Sequence, residues 1–569
     1  MRNRIKFFGF AFWCVLFLLN YGLANASIKL PAIFGDNMVL QRKMNVPIWG
    51  WANPGEKIQI FFEHKIFKTI TGSDGKWSTK LNSYKAGGPY QMTIKGDKEE
   101  ILIKNIVIGD VWVASGQSNM EFPIQKELHG AETIEKASDT LIHLFFVPLG
   151  FKLQPQDDIV SLSAGSFNGK WVVCTREMLG SDQWASHGFS AVGYYFASQI
   201  RLHEKCPVGI IGSYVGGTPA QSWISIDGLK KDTTFNDYVT KHQELVDHLD
   251  EAKASYPQKE MAYKEALKQW NEEVGKNFET INKQWAIDAA EAKAKGLPIP
   301  AQPKPSRPMP QVPQAPEGGY YAPGNLYNAM IAPFVHYGIT GVIWYQGEGN
   351  GNYLDVAVKY KHLFPLLIRD WRNNWQQGDF AFLFVQIANY HATAITPSEG
   401  FWPWVREGQL KALSLPKTGM AVTTDLGEAK DIHPKNKQDV ALRLSLAARH
   451  VVYGENLVFS GPIFKSMKTE GNKIRLSFSN VGGGLITGKL PQLEDLKGFG
   501  IAGSDQKFVW AKAVIEGNEI LVSADGITNP TAVRYNWADN PFGNLYNKDG
   551  LPASPFRTDN WVPSLPVTK

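Results

Sequence analysis

From Ser27 to about Asn105 the chain alternates apolar and polar positions in short runs, among them Val46–Trp51, Lys57–Phe62 and Tyr90–Ile94. Turn signals separate them at Asn53-Pro54-Gly55, Ser73-Asp74-Gly75 and Gly87-Gly88-Pro89. Period-two runs at this spacing predict a small β-sandwich. Beyond Ile106 the pattern changes to apolar, strand-like runs, at Ile106–Ala114, Leu141–Val147, Val208–Tyr214, Thr340–Tyr345, Phe380–Ile387 and Met420–Thr424, alternating with longer stretches of helical period. A strand that is apolar on both faces needs cover on both, so this part predicts a parallel α/β sheet with helices on either side. After Gly454 short β-like runs return at Lys473–Phe478, Phe508–Ile515 and Glu519–Val522. They predict a second β-domain.

Residues 241–316 interrupt the alternation with a segment rich in Ala, Glu, Lys and Gln, followed by a proline-dense stretch from Pro298 to Pro316. Within it Tyr263, Leu267, Trp270, Val274, Phe278, Ile281 and Trp285 recur at spacings of three and four, which is one face of a helix. A stripe of about three heptads is short for a coiled coil, so its expected partner is the rest of the chain. At the other end, Arg2, Arg4 and Lys6, the apolar run Phe7–Leu19 and the small-residue site Ala24-Asn25-Ala26 read as a secretory signal. That run is short for a membrane span, and no later stretch reaches about 18 unbroken apolar residues. The expectation is an exported protein, periplasmic or secreted, with no membrane span once the signal is removed. The domains expected are 1–26 signal peptide, 27–105 N-terminal β-sandwich, 106–455 α/β domain with the insertion 241–316, and 456–569 C-terminal β-domain.

Composition narrows the classes further. Of 569 residues, 43% are hydrophobic and 20% charged, values of an ordinary globular chain that exclude disorder as the main state. Lys and Arg total 59 against 54 for Asp and Glu, and three of the basic residues fall in the first six. The remainder is close to neutral, which argues against nucleic acid as a partner. Eighteen tryptophans fit large β-domain cores or carbohydrate-facing surfaces, with the core as the default. Without Cys14 the chain keeps Cys174 and Cys206, enough for one disulfide or two buried thiols but no disulfide scaffold.

Candidate chemistry collects where the apolar runs end. Ser118 follows the run through Ala114 and the turn-permitting Gly116, which places its hydroxyl at the carboxyl edge of the sheet, where open α/β sheets bind ligands. Taken alone, Ser118 or Asn119 reads equally well as the cap of the next helix. The run Val208–Val215 leads into Gly216-Gly217-Thr218-Pro219, whose backbone N–H groups suit a developing oxyanion. A third run ends in Gln346-Gly347-Glu348-Gly349-Asn350, and a fourth leads through Asp425 and Glu428 to Asp431-Ile432-His433-Pro434. A nucleophile, hydrogen-bond donors and a base at four strand ends form a serine-hydrolase constellation. Arg406 and Arg534 are candidates to grip a substrate carboxylate, against the commoner reading of structural ion pairs. Asp431, His433 and Glu348 are a poor metal set, with no second histidine close in sequence.

Gly116-Gln-Ser-Asn-Met120, Gly216-Gly-Thr-Pro-Ala-Gln-Ser-Trp223, Trp344-Tyr-Gln-Gly-Glu-Gly-Asn350 and Asp431-Ile-His-Pro434 resemble the SGNH hydrolase superfamily, and within it the sialate O-acetylesterases. The resemblance covers essentially the whole chain. It implies an SGNH-type parallel sheet covered by helices and flanked by β-sandwich-like domains. No cofactor or metal is expected, since the motif set supplies a nucleophile and a base without a metal-bound water. The resemblance implies Ser118 as nucleophile, His433 as base, and the N–H groups of Ser118 and of Gly216 or Gly217 as oxyanion donors. Where many SGNH enzymes place an asparagine as third donor, this chain offers Gln346. Glu348, Asn350 and Arg406 are carried as substrate-binding candidates.

One departure stands out. Many SGNH enzymes carry Asp three residues before the catalytic His, but position 430 is Lys and the nearest carboxylate is Asp431. An extended loop puts Asp431 and His433 on one face and makes a triad; a turned loop leaves the ring to a backbone carbonyl and makes a dyad. The function expected is an exported serine esterase that removes O-acetyl groups from sialic acid or sialoglycans through an acyl-enzyme. The alternatives are an acetyl xylan esterase and a glycan-binding protein built on an inactive hydrolase core.

Overall fold

The structure, a computed structural model, describes residues 28–562 apart from 160–164, 166, 185–187, 398 and 489–494. The expected signal peptide lies outside the described residues. Among the described residues, thirteen strands carry the chain through the first two regions: β1 (Val39–Gln41), β2 (Pro47–Trp51), β3 (Lys57–Phe62), β4 (Lys65–Ile70), β5 (Lys76–Lys80), β6 (Gly87–Lys95), β7 (Glu100–Gly116), β8 (Ile142–Phe146), β9 (Trp171–Val173), β10 (Val208–Tyr214), β11 (Gly341–Tyr345), β12 (Ala381–Gln386) and β13 (Thr418–Val422). The central sheet runs β13-β12-β11-β7-β10-β8-β9. Its pairings are parallel except for β9, which is antiparallel to β8. This is the α/β class that the apolar runs predict.

β7 joins two regions. Its first half pairs antiparallel with β6 in the N-terminal β-domain, and its second half lies between β10 and β11 at the middle of the parallel sheet. The boundary expected at 105/106 therefore falls inside one continuous strand. After β7 the chain builds β8 and β10 on one side and β11, β12 and β13 on the other, so the strand order reverses at β7. The carboxyl end of such a strand is where an open α/β sheet has a crevice.

Helices cover both faces. The elements used below are α1 (Ser118–Glu121), α2 (Ala191–Glu204), α3 (Leu249–Trp270), α4 (Lys276–Ala294), α5 (Leu354–Trp375), α6 (Trp402–Ala412) and α7 (Lys437–Val451). Alternation along the strands divides the core. Trp344, Phe382 and Phe384 join Phe364 and Trp371 of α5, while Ile343, Leu383 and Val385 join Phe196 of α2 and Val440 and Leu444 of α7. Each fully buried side chain of this size contributes about 1.5–3 kcal/mol, so the two layers hold the strand ends in fixed register.

In the insertion, α3 and α4 are joined through the π-helical turn Asn271–Gly275. The apolar stripe packs within the chain at its middle: Trp270 and Val274 are buried, Ile281 is 45% exposed, and the indole N–H groups of Trp270 and Trp285 donate to the carbonyls of Arg307 (2.8 Å) and Pro300 (2.9 Å) in the proline-dense stretch. The C-terminal region contains two four-stranded antiparallel sheets, one built around Lys473–Ser479 and Glu519–Ser523, the other around Phe499–Ala502 and Ala532–Tyr535. They share a core that includes Leu476, Ile501, Val533 and Phe556. Cys174 and Cys206 are free buried thiols, and burial pushes both up to about 12.

Candidate active site

The turn after β7 is dictated by close backbone approach. Gly116 has φ +138°, and a Cβ there would lie 2.1 Å from the Tyr345 carbonyl of β11, so no side chain fits. Gln117 then donates its N–H to that carbonyl (3.0 Å) and uses its buried side-chain oxygen to accept from Gly347 N (3.3 Å) and Gly349 N (2.9 Å). The nucleophile turn and the β11 loop are thereby tied together, and Ser118 begins α1 above the sheet. His433 arrives from the loop between β13 and α7, and its Nε2 lies 2.9 Å from Ser118 Oγ. Residues 315 apart in sequence meet because parallel strands all end at one edge.

Burial first, and the nearby Lys437 ammonium second, lower the His433 imidazole below its ordinary 6.5, while Asp431 opposes them. The neutral ring needed by a general base is therefore present from mildly acidic pH upward. The loop bends at this point. Asp431 Oδ1 accepts the backbone N–H of His433 at 2.9 Å, the local turn that Asp side chains form two residues on, and the same oxygen is 3.5 Å from Nδ1. The carboxylate thus stays beside the ring without a close bond to it, between the triad and dyad geometries. Asp431→Asn is expected to lower kcat by roughly 10- to 100-fold, short of the ~10⁴ that follows loss of a direct Nδ1 partner, with KM little changed. Steady-state kinetics of the variant check this; a full-sized loss would mean that the bond closes during turnover, and no loss would mean a dyad.

Gly216 lies against the nucleophile: a Cβ there would stand 3.5 Å from Ser118 Cβ and 2.9 Å from Glu121 Oε2. Gly217 follows with φ +73°. Bare backbone is what an oxyanion site at this position requires.

The other candidates are not in the cleft. Gln346 points to the Trp344 face of β11, toward α5, where it donates to Asn350 Oδ1 (2.7 Å) and Thr218 O (3.3 Å) and accepts from Tyr360 Oη (2.9 Å). Its expected role as third oxyanion donor is corrected: the amide braces two loops. Asn350 accepts from Ala220 N and donates to Gln221 Oε1, and is completely buried. Glu348 is buried against Asn119, with 2.6 Å between Oε1 and Nδ2. Arg406 is also fully buried, its guanidinium donating to the carbonyls of Ile387, Ala388, Ala538 and Asp539. It ties α6 to the C-terminal region and has no free edge for a substrate carboxylate. Arg534 pairs with Glu399 and Asp559 beneath Phe508, outside the catalytic cleft. Among the described residues no group of three or more His, Cys, Asp or Glu side chains converges on a metal-sized site.

The cleft over Ser118 and His433 has a volume of about 560 Å³ and is walled by Phe122 and Pro123, with Lys126 and Lys435 at its rim. Three polar residues behind it have no site role in the sequence reading: Gln117, Asn119, which the sequence offers only as a helix cap, and Lys437. The first two sit inside the quoted Gly116–Met120 motif, whose density of polar groups after a buried strand was the available signal. Lys437 carried none, since a lysine in the first turn of a helix is usually solvated.

A covered parallel sheet with a serine–histidine pair at its switch point defines a hydrolytic enzyme of the α/β class. The family model for carbohydrate esterase, sialic acid-specific acetylesterase, matches residues 311–451. The chain is 33% identical to a carbohydrate acetylesterase from Xanthomonas citri whose crystal structure superposes with a TM-score of 0.73, covering 94% of this chain and all of that one. It is 27% identical over 475 residues to the sialate O-acetylesterase of Rattus norvegicus, spanning 78% of this chain and 77% of that protein, and 26% identical over 576 residues to that of Homo sapiens, spanning 94% and 93%. This chain belongs to the sialate O-acetylesterase family of carbohydrate esterases and is a carboxylic ester hydrolase.

Proposed function

We propose that the protein is an exported esterase that removes O-acetyl groups from sialic acid or sialoglycans through an acyl-enzyme on Ser118. The observation that carries this reading is the 2.9 Å contact of Ser118 Oγ with His433 Nε2 at the floor of an open cleft. His433 Nε2 takes the hydroxyl proton as Oγ attacks the acetyl carbonyl. The backbone N–H groups of Ser118 and of Gly216 or Gly217 hold the tetrahedral oxyanion, and His433 returns the proton to the departing sugar hydroxyl. Water then adds to the acetyl-serine with the same proton transfers and releases acetate. Residues 1–26 support export to the periplasm or beyond, and the near-neutral charge supports a glycan partner over nucleic acid.

The cleft is lined by Glu121 and Asp431 as well as by Lys126 and Lys435, and among acetylated sugars the two lysines at the rim favour an acidic one. Lys126 and Lys435 are exposed at the cleft, and neither ammonium forms an ion pair among the described residues. A sialic acid carboxylate supplies the missing partner, whereas acetylated xylan is neutral. Purified protein is expected to hydrolyse O-acetylated sialic acid with a kcat/KM at least about tenfold above that on acetylated xylan, the discrimination one well-placed charge pair supplies. A preference for xylan would replace this substrate. Glycan binding with no turnover of either would return the lectin reading.

A further inference from the structure

Beneath the catalytic pair lies a buried polar set that the proton transfers above do not use. Asn119, next to Ser118 and 1% exposed, has both ends of its amide engaged. Its Nδ2 donates to Glu348 Oε1 (2.6 Å) and to the carbonyl of Ile432 (3.0 Å), the residue before His433. Its Oδ1 accepts from Lys437 Nζ at 2.7 Å. Lys437 is completely buried, with its ammonium over the faces of Phe122 (4.8 Å) and Tyr345 (5.5 Å). Glu348 Oε2 is buried too and has no hydrogen-bond partner.

A buried cation and a buried carboxylate normally sit in direct contact, because that is what offsets their desolvation. Here no ion pair within 4 Å joins Lys437 to an acid among the described residues, and the amide of Asn119 stands between cation and anion. The ammonium, a donor only, allows the amide one orientation, Oδ1 toward Lys437 and Nδ2 toward Glu348, whose carboxyl is pushed up by burial. That orientation aims Nδ2 at Ile432, so the amide couples the serine turn to the histidine loop.

Resting on the Ser118–His433 reading, we propose that Lys437 is a positioning residue: its buried ammonium fixes Asn119 so that Ser118 and His433 stay in register. The charged groups acting on the ring come from three elements, Lys437 from α7, Lys126 from the segment after α1, and Asp431 from the ring's own loop. Asp431, Glu348, Glu127 and Glu428 in turn favour the charged form of Lys437, while burial pulls its ammonium down to about 7. Its charge is therefore largely present below that pH. The sign follows: removing this cation raises the imidazole pKa, and activity is lost at higher pH than in the parent.

The test is the pH profile of kcat/KM on a chromogenic aryl acetate for Lys437→Gln, Lys437→Met and Asn119→Ala. Both Lys437 variants are expected to move the acid limb upward by about half a pH unit or more, as loss of a nearby like charge does. Lys437→Gln keeps a donor for Asn119 and loses less than about tenfold in kcat, whereas Lys437→Met loses roughly 10- to 100-fold with KM within about twofold. Asn119→Ala, which cuts the tie and leaves the lysine, lowers kcat similarly and decides the positioning claim if neither Lys437 variant folds. A folded Lys437→Met enzyme of normal kcat, or an Asn119→Ala enzyme of normal kcat, overturns the proposal. Activity surviving in Ser118→Ala would instead overturn the reading beneath it, so the two failures are distinct.

Discussion

Ser118→Ala is expected to lower esterase turnover by roughly 10⁴- to 10⁶-fold while the protein keeps its fold. The chemical half of this expectation follows from the missing oxygen: without Oγ no acetyl-serine forms, and the residual rate comes from oxyanion stabilisation of direct water attack. The structural half follows from what the hydroxyl does in the resting state. Its hydrogen bond is to His433, and the cap position of α1 is Gln117, so the hydroxyl does not hold the helix start. The turn itself is held by Gly116, by Gln117 and by Asn119, all untouched by the change. Hydrolysis of a chromogenic acetate, with a thermal melt beside it, measures both halves. A folded variant retaining a tenth of parental activity removes Ser118 from the mechanism.

His433→Gln should cost nearly as much, roughly 10³- to 10⁶-fold in kcat, because residues that act as one proton-transfer unit fail together rather than additively. Glutamine is close to histidine in size and still hydrogen-bonds to Ser118, but its amide accepts no proton near neutrality. The ring sits at the cleft wall with its side chain 36% exposed and stacked on Phe122 with centroids 6.5 Å apart, so little packing is lost. The distinguishing sign is the pH profile: the acid limb set by the imidazole disappears, leaving a weak activity that rises with hydroxide. In the double variant with Ser118→Ala the losses should not multiply. Multiplicative losses in that variant would mean that the two side chains act on separate steps.

The parts of this molecule that were legible from its sequence share a physical feature. Strands buried on both faces are apolar at nearly every position and stop at turn residues, and so the expected runs Val208–Tyr214 and Thr340–Tyr345 coincide with β10 and β11 almost residue for residue. The polar clusters that follow them had to lie at one edge, since parallel strands end on the same side. Ser118 and His433 were readable for that reason together with the resemblance carried by their motifs. The domain boundary inside β7 was harder, because one strand serves two sheets and a local pattern does not record with whom a strand pairs.

By itself, then, the sequence determined the fold class, the edge at which chemistry sits and the two residues that meet there, because burial and turn chemistry are written locally. Only the tertiary structure decided how the remaining polar groups are used. Gln346 and Arg406 look in sequence like groups free to meet a substrate, yet each is buried with its donors engaged on loops distant in the chain. Lys437 looks like a solvated helix-start lysine and is a buried cation on Asn119, which lies 318 residues earlier. A polar side chain's role depends on which partners surround it and how much water is left, and both are set by long-range packing that no local window of sequence contains.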